Sequence, residues 1–124
     1  MRSFFFAMIA WVALGIGPAA AQSCNPSFAI DNESGFTIDG MVTRGVGDSG
    51  WSAQQLAANQ VIDSGYKLSF NFSSTSVTAF DVKVTFLMNG SEEDSTWGNV
   101  DLCTITLMTI TYDSTASLFN ASFQ

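Results

Sequence analysis

Apolar and polar residues alternate without a break over Tyr66–Phe72, where Tyr66, Leu68, Phe70 and Phe72 fall on one side and Lys67, Ser69 and Asn71 on the other. Phe80–Phe86 repeats the pattern, with Phe80, Val82, Val84 and Phe86 opposed to Asp81, Lys83 and Thr85. A period of two is the signature of a half-buried strand, and strands of this kind belong to antiparallel sheets with one face in the core. The pair is expected to be antiparallel. Asn89-Gly90 follows, the pair that best suits a two-residue turn with both residues at positive φ, and predicts a hairpin from Leu87-Met88 back through Glu92-Glu93-Asp94 to Thr96-Trp97.

Weaker signals fill in the rest. Phe28-Ala29-Ile30 reads as a short strand ended by the turn formers Asp31–Gly35, and Phe36–Thr43 as a second, with Gly40 marking a bulge. Arg44–Gly50 is rich in Gly and Asp and predicts a loop. Ser52–Ala58 holds good helix formers behind a potential Ser52 cap, so a short helical turn is expected there. Asp63-Ser64-Gly65 predicts a turn. Leu102–Tyr112 is apolar on both alternating sets, as in a strand inside a sheet or one that bends between two sheets, and Leu118–Phe123 suggests an edge strand. Six or seven short strands with one helical turn predict an all-β fold, a small antiparallel β-sandwich or flattened barrel.

The first residues follow a different rule. Arg2 precedes an apolar run from Phe4 to Ile16, then Gly17-Pro18 and Ala19-Ala20-Ala21, the charged, apolar, small order of a cleavable signal peptide over residues 1–21. The run is short for a permanent span, which needs about 20 residues, and no second one follows, so no integral membrane segment is expected in the mature chain. Cleavage after Ala21 leaves residues 22–124, 103 residues, the size of one domain in the periplasm or outside the cell. An alternative makes Cys24 the lipid-bearing first residue of a lipoprotein. Ala21-Gln22-Ser23 lacks the Leu that such signals carry at the third position before the cysteine, which favours cleavage at Ala21.

Removing the signal leaves Arg44, Lys67 and Lys83 against eleven acids, a net charge of −8. Three scattered cations form no phosphate-binding patch, so neither nucleic acid nor an anionic membrane surface is an expected partner. The acidity suits either solubility or a cationic partner. Cys24 and Cys103 are the only cysteines, and in an oxidising compartment they can form one disulfide; free thiols are the alternative. The chain has no histidine, which rules out a Cys–His nucleophile, and two cysteines cannot fill a structural zinc site. No cofactor is expected.

Four side chains carry the remaining chemistry. Asp81 and Asp101 could form a carboxylate pair for acid–base work or for holding a cation, or simply accept local hydrogen bonds at strand ends. Trp51 and Trp97 flank polar loops and could form an aromatic platform for a sugar or peptide, or cap the ends of the sandwich. Asn89–Asp94 gathers oxygen ligands but lacks the spacing of a calcium loop. Asn-x-Ser sequons start at Asn32, Asn71, Asn89 and Asn120 and matter only in a host that glycosylates them.

Phe28-x-Ile30-x-Asn32-x-Ser34-Gly35-x-x-Ile38, Trp51, Leu56, Gly65, Phe80-Asp81-Val82-Lys83-Val84 and Trp97-x-x-Val100-Asp101-Leu102-Cys103 together resemble a family of small exported bacterial proteins of unknown function. In that family a segment like C-x-W-D-L-K-V precedes W-x-x-L-D-L-C by a hairpin, and the likeness covers nearly the whole mature chain. Some members carry an argininosuccinate lyase label; such lyases are large helical oligomers, and a histidine-free β domain cannot supply their site. Where the pattern has its first cysteine this chain has Thr78, so the resemblance implies a partner for Cys103 without assigning that role to Cys24. It implies the fold and export, and brings no catalytic residues.

The expected function is therefore an exported, non-enzymatic binding or structural module with a protein or small-ligand partner. The alternatives are a small carboxylate-dependent hydrolase or lyase using Asp81, Asp101 or the acidic hairpin, and partner binding by strand addition at an edge such as Phe119–Phe123.

Overall fold

A computed structural model describes residues 23–124, so the predicted signal peptide lies outside the described residues. Seven strands form: β1 (Ser27–Glu33), β2 (Thr37–Gly45), β3 (Lys67–Asn71), β4 (Ala79–Met88), β5 (Ser91–Asp101), β6 (Leu107–Asp113) and β7 (Leu118–Phe123). They make two sheets, ordered β3-β1-β6-β7 and β2-β4-β5, packed face to face as a small β-sandwich. The predicted all-β class holds, and the alternating patterns explain it: Phe28, Ile30, Phe70, Met108 and Ile110 of one sheet meet Ile38, Met41, Val82, Val84 and Phe86 of the other in one buried core. Across the layers Phe86 stacks on Phe119, with ring centroids 3.7 Å apart.

The Asn89-Gly90 hairpin forms as read. Asn89 (φ 52°) and Gly90 (φ 86°) both adopt positive φ, which glycine does without the steric cost a Cβ would bring. This turn fixes the register, so Met88 pairs with Ser91, Phe86 with Glu93 and Val84 with Ser95. The bulge expected near Gly40 is present between Ile38 and Gly40. The double-faced segment at Leu102–Tyr112 divides: 102–106 turns the chain from one sheet to the other, and β6 then runs inside the second sheet, between β1 and β7.

Three expectations need correction. First, the two best strands of the sequence, β3 and β4, lie in opposite sheets and do not pair; β3 pairs with β1 and β4 with β2 and β5. Second, β1 and β6 run parallel, with Ala29 opposite Leu107 and Glu33 opposite Thr111, in a sandwich whose other four ladders are antiparallel.

Third, no helical turn forms over 52–58. This segment spends its polar groups on the free edge of β2 instead. Ser52 N–H donates to Thr43 O (2.7 Å) while the Ser52 hydroxyl accepts from Thr43 N–H (3.0 Å). The Gln54 side chain accepts from Met41 N–H, Gln55 N–H donates to Met41 O, and Ile62 exchanges both backbone bonds with Ile38. Residues 51–62 thus form a strap that does the work of a fourth strand, and Leu56 and Ile62 on it are buried in the core. Bonds to an unpaired strand edge outweigh a helical preference of a few tenths of a kcal/mol per residue.

The strap is pinned by Asn32, which is fully buried. Its Nδ2 donates to Phe36 O and Ile62 O, both at 2.7 Å, and its Oδ1 accepts from Ser34 N–H (3.1 Å) and the Ser34 hydroxyl (2.7 Å). Every hydrogen-bonding position of the amide is used, so the Asn32 sequon is closed to a glycan in the folded chain. Asn71, Asn89 and Asn120 are exposed.

Cys24 and Cys103 are joined in a disulfide with Cα atoms 5.8 Å apart, tying the lead into β1 to the turn after β5. No helix among the described residues is long and apolar enough to cross a membrane.

Candidate functional site

β4 orders the predicted site residues by alternation. Val82 and Val84 point into the core, so Asp81 and Lys83 occupy the outer face, together with Arg44, which stands opposite Asp81 on β2. Arg44 Nε donates to Asp81 Oδ2 at 3.0 Å. The guanidinium of Arg44 also lies 4.1 Å, and the Lys83 ammonium 4.7 Å, from the centre of the Trp51 ring. Two of the domain's three cations are thereby held on one indole at the outer surface, contacts worth about 0.5–1 kcal/mol each at an exposed site.

Trp97 is on the other side of the same sheet. It pairs with Val82, faces inward and packs half-buried against the core. The two indoles are separated by the sheet and form no joint platform. Asp101 sits at the end of β5, where its Oδ1 accepts from Cys103 N–H at 3.0 Å and its carbonyl accepts from Thr104 N–H and Ile105 N–H. Asp81 is therefore committed to Arg44 and Asp101 to the turn that carries the disulfide.

The acidic hairpin does not converge either. Strand alternation sends Glu92 and Asp94 to the outer face and Glu93 inward. Asp94 Oδ1 accepts from the Thr85 hydroxyl at 2.7 Å. Glu92 instead meets Asp39, the bulged residue of β2: hydrogen bonding to Asp39 and that residue's charge raise the Glu92 carboxyl above its ordinary range. Asp39 Oδ1 is buried with no hydrogen-bond partner among the described residues. Asp39 was not singled out by the sequence because nothing local marks a bulge residue as the neighbour of a hairpin carboxylate. Among the described residues no group of three or more metal-ligating side chains occurs.

A concavity larger than the two beside Phe72 and around the disulfide lies elsewhere, at the open side of the sandwich between the edge strands β5 and β7. It is a cleft of about 540 Å³ at the hairpin end. Met88, Tyr112, Leu118 and Phe119 give it an apolar floor and wall; Glu93 and Ser95, the inward side chains of β5, give it a polar one. The cause is visible in β5 itself. Its inward positions run Ser91, Glu93, Ser95, Trp97, so three small or polar residues leave space against the facing sheet before the indole fills it.

The neighbouring aromatics are fixed. Phe119 is held between Phe86, Phe36 (6.0 Å between centroids) and Tyr112 (4.8 Å), so the floor of the cleft is preformed. Of these residues the sequence marked Glu93 only within the acidic hairpin and Phe119 only within a candidate edge strand, and it did not bring them together, although the Asn89-Gly90 turn already sets Glu93 opposite Phe86 and so puts a carboxylate on a core-facing row. Two smaller cavities, about 270 and 260 Å³, lie at the other end, beside Phe72 and Leu102 and around the disulfide; Thr78 lines the latter with Cys24 and Cys103.

No protein-family model matches the chain, and neither a curated protein nor a solved structure shows significant similarity to it.

Proposed function

We propose that the mature chain is an exported protein-binding module that takes an extended segment of a partner polypeptide in the cleft between β5 and β7. The observation that carries this reading is the asymmetry of the sandwich: the β2 side is closed by the strap, whereas the β5–β7 side leaves an edge strand of eleven residues beside a preformed cleft with an apolar floor and a polar wall. An unpaired edge is a template for a further strand, and pockets beside it give the added strand side-chain selectivity. Asp81 and Asp101 have local structural partners and lie outside the cleft, so they are not assigned a chemical role.

Export rests on the charged–apolar–small order of residues 1–21, and the disulfide supports an oxidising compartment such as the periplasm or the exterior. A sulfur committed to Cys103 is not free to carry a lipid thioether, which favours cleavage at Ala21 over the lipoprotein reading. The mass of the exported protein tests this: Gln22 is the expected first residue, and an acylated Cys24 would overturn it. The likeness to small exported bacterial β-domain proteins supports the same compartment. It gains from Thr78, the site of the family's first cysteine, lining the same cavity as the bridge.

Selection from a displayed random-peptide library tests the binding function, with Ser95→Trp to fill the cleft and Ser69→Trp, on the outer face of the other sheet, as the control. Enriched peptides are expected to bind the wild type and Ser69→Trp alike and to lose at least tenfold in affinity on Ser95→Trp. No enrichment, or equal binding to all three, would sink the proposal.

A further inference from the structure

Building on the proposed cleft, we infer that its occupant is a cationic, amphipathic extended segment of another protein that adds to the free edge of β5. Three features of the molecule converge on this. The first is backbone. β5 ends its sheet, and no backbone hydrogen bond among the described residues reaches Ser91–Val100 from beyond the β4 ladder. β2, the opposite edge of that sheet, is occupied by the strap along its length.

The second is charge. Glu92, Glu93 and Asp94 stand consecutively at the start of this free edge. None of the three cations of the described residues lies on β5 or in the cleft: Lys83, opposite Thr96 on the neighbouring β4, and Arg44 on β2 are gathered on Trp51 at the outer face, and Lys67 lies on β3, at the far edge of the other sheet. Nothing positive lines the cleft, and an added strand with lysine or arginine opposite these positions meets uncompensated carboxylates on both its faces.

The third is shape. A residue paired with Ser95 points inward, toward the cleft whose apolar side is Phe119, Leu118 and Tyr112, which suits an aliphatic side chain. A lysine or arginine paired with Glu93 can lay its stem on the same floor and keep its charge on the carboxylate. The occupant therefore has an alternating apolar segment followed by two or three cations. A second copy of the chain is a poor occupant, since each copy carries a net charge of −8 after cleavage.

The probe is the labelled peptide acetyl-Thr-Val-Thr-Ile-Lys-Arg-Lys-amide, designed to lie antiparallel with its three cations opposite Asp94, Glu93 and Glu92, titrated into the oxidised exported protein. Saturable one-to-one binding is expected, with amide chemical shifts changing along Ser91–Trp97 and on Phe119. Replacing the three cations by glutamate should weaken it at least tenfold. So should N-methylation of alternate peptide nitrogens facing β5, which keeps every side chain and charge.

The combined Glu92→Gln, Glu93→Gln and Asp94→Asn variant should also lose at least tenfold. Equal binding by the N-methylated peptide would overturn strand addition, equal binding by the glutamate peptide would overturn the charge selection, and shifts elsewhere or self-association through β5 in place of peptide binding would overturn both. Cleft-bound neutral or acidic peptides from the library selection would refute this inference while leaving the peptide-binding function intact.

Discussion

β2 and β5 are the two edges of one three-stranded sheet, and the fold treats them oppositely. The backbone of β2 ends on the strap at Thr43, Met41 and Ile38, with Leu56 and Ile62 buried beneath it. β5 ends on water and carries three consecutive carboxylates. Both solutions protect an exposed edge from unwanted pairing, one by covering it and one by charging it. Only the charged edge remains able to choose a partner, because a covered edge has no hydrogen bonds left to offer.

The largest effect is expected from a change that loosens both sides together. The Cys24–Cys103 bridge spans 79 positions and joins the lead into β1 to the end of β5. In the chain-entropy account a loop of this length adds about 4–5 kcal/mol, so Cys24→Ser with Cys103→Ser should lower the urea-unfolding free energy by that order. A loss below about 1 kcal/mol would mean that the two ends hold each other without the bridge.

Asn32→Ala attacks the closed side alone. It removes one of the two donors to each of the Phe36 and Ile62 carbonyls and the acceptor of the buried Ser34 N–H, and a cost of about 1–3 kcal/mol is expected in the same measurement. Gln54→Ala removes one side-chain acceptor from the β2 edge and should cost about 1 kcal/mol, with faster hydrogen exchange at the Met41 amide. Thr96→Ala on β5 is the matched control, because Thr96 is exposed and spends nothing on closing an edge; a change within about 0.5 kcal/mol is expected. Equal losses from Gln54→Ala and Thr96→Ala would erase the distinction between the two edges.

The smallest effect is a pH dependence. The Glu92 carboxyl is raised in the folded chain by Asp39 and Asp94, and Glu33 likewise by Asp31. A raised folded pKa means that the folded state binds protons which the unfolded state has already released. Stability therefore falls as pH rises from near 4.5, the ordinary value, through the raised one. Glu92→Gln should flatten the hairpin's share of that slope; an unchanged slope would remove the Asp39–Glu92 contact from the account. Both carboxyls are fully exposed, so the effect is a gentle drift in midpoint rather than acid unfolding.

Much of the fold was legible because it is local. The alternation of Tyr66–Phe72 and Phe80–Phe86 gives the strands and their buried faces, except that Tyr66 lies before β3 and is exposed, and Asn89-Gly90 gives a turn and with it the register that sets Glu93 opposite Phe86. The candidate site was legible only in part: Trp51, Trp97, Asp81 and Asp101 were marked by residue type, yet the structure scatters them over two faces and one strand end. The cleft residues Ser95, Leu118 and Phe119 carry no marked chemistry, and they matter only because two strand edges stop beside each other.

By itself the sequence determined the strand content, the hairpin and the single cysteine pairing available, since each depends on neighbours in the chain or on counting. Tertiary structure alone decided which sheet each strand joined, that β1 and β6 run parallel, and that 51–62 would cover β2 while β5 stayed open. The reason is physical. Period-two alternation tells a strand which face is buried but says nothing about which edge it will meet, and the side chains of Ser52 and Gln54 reveal their use only when an unpaired backbone is brought within hydrogen-bonding distance.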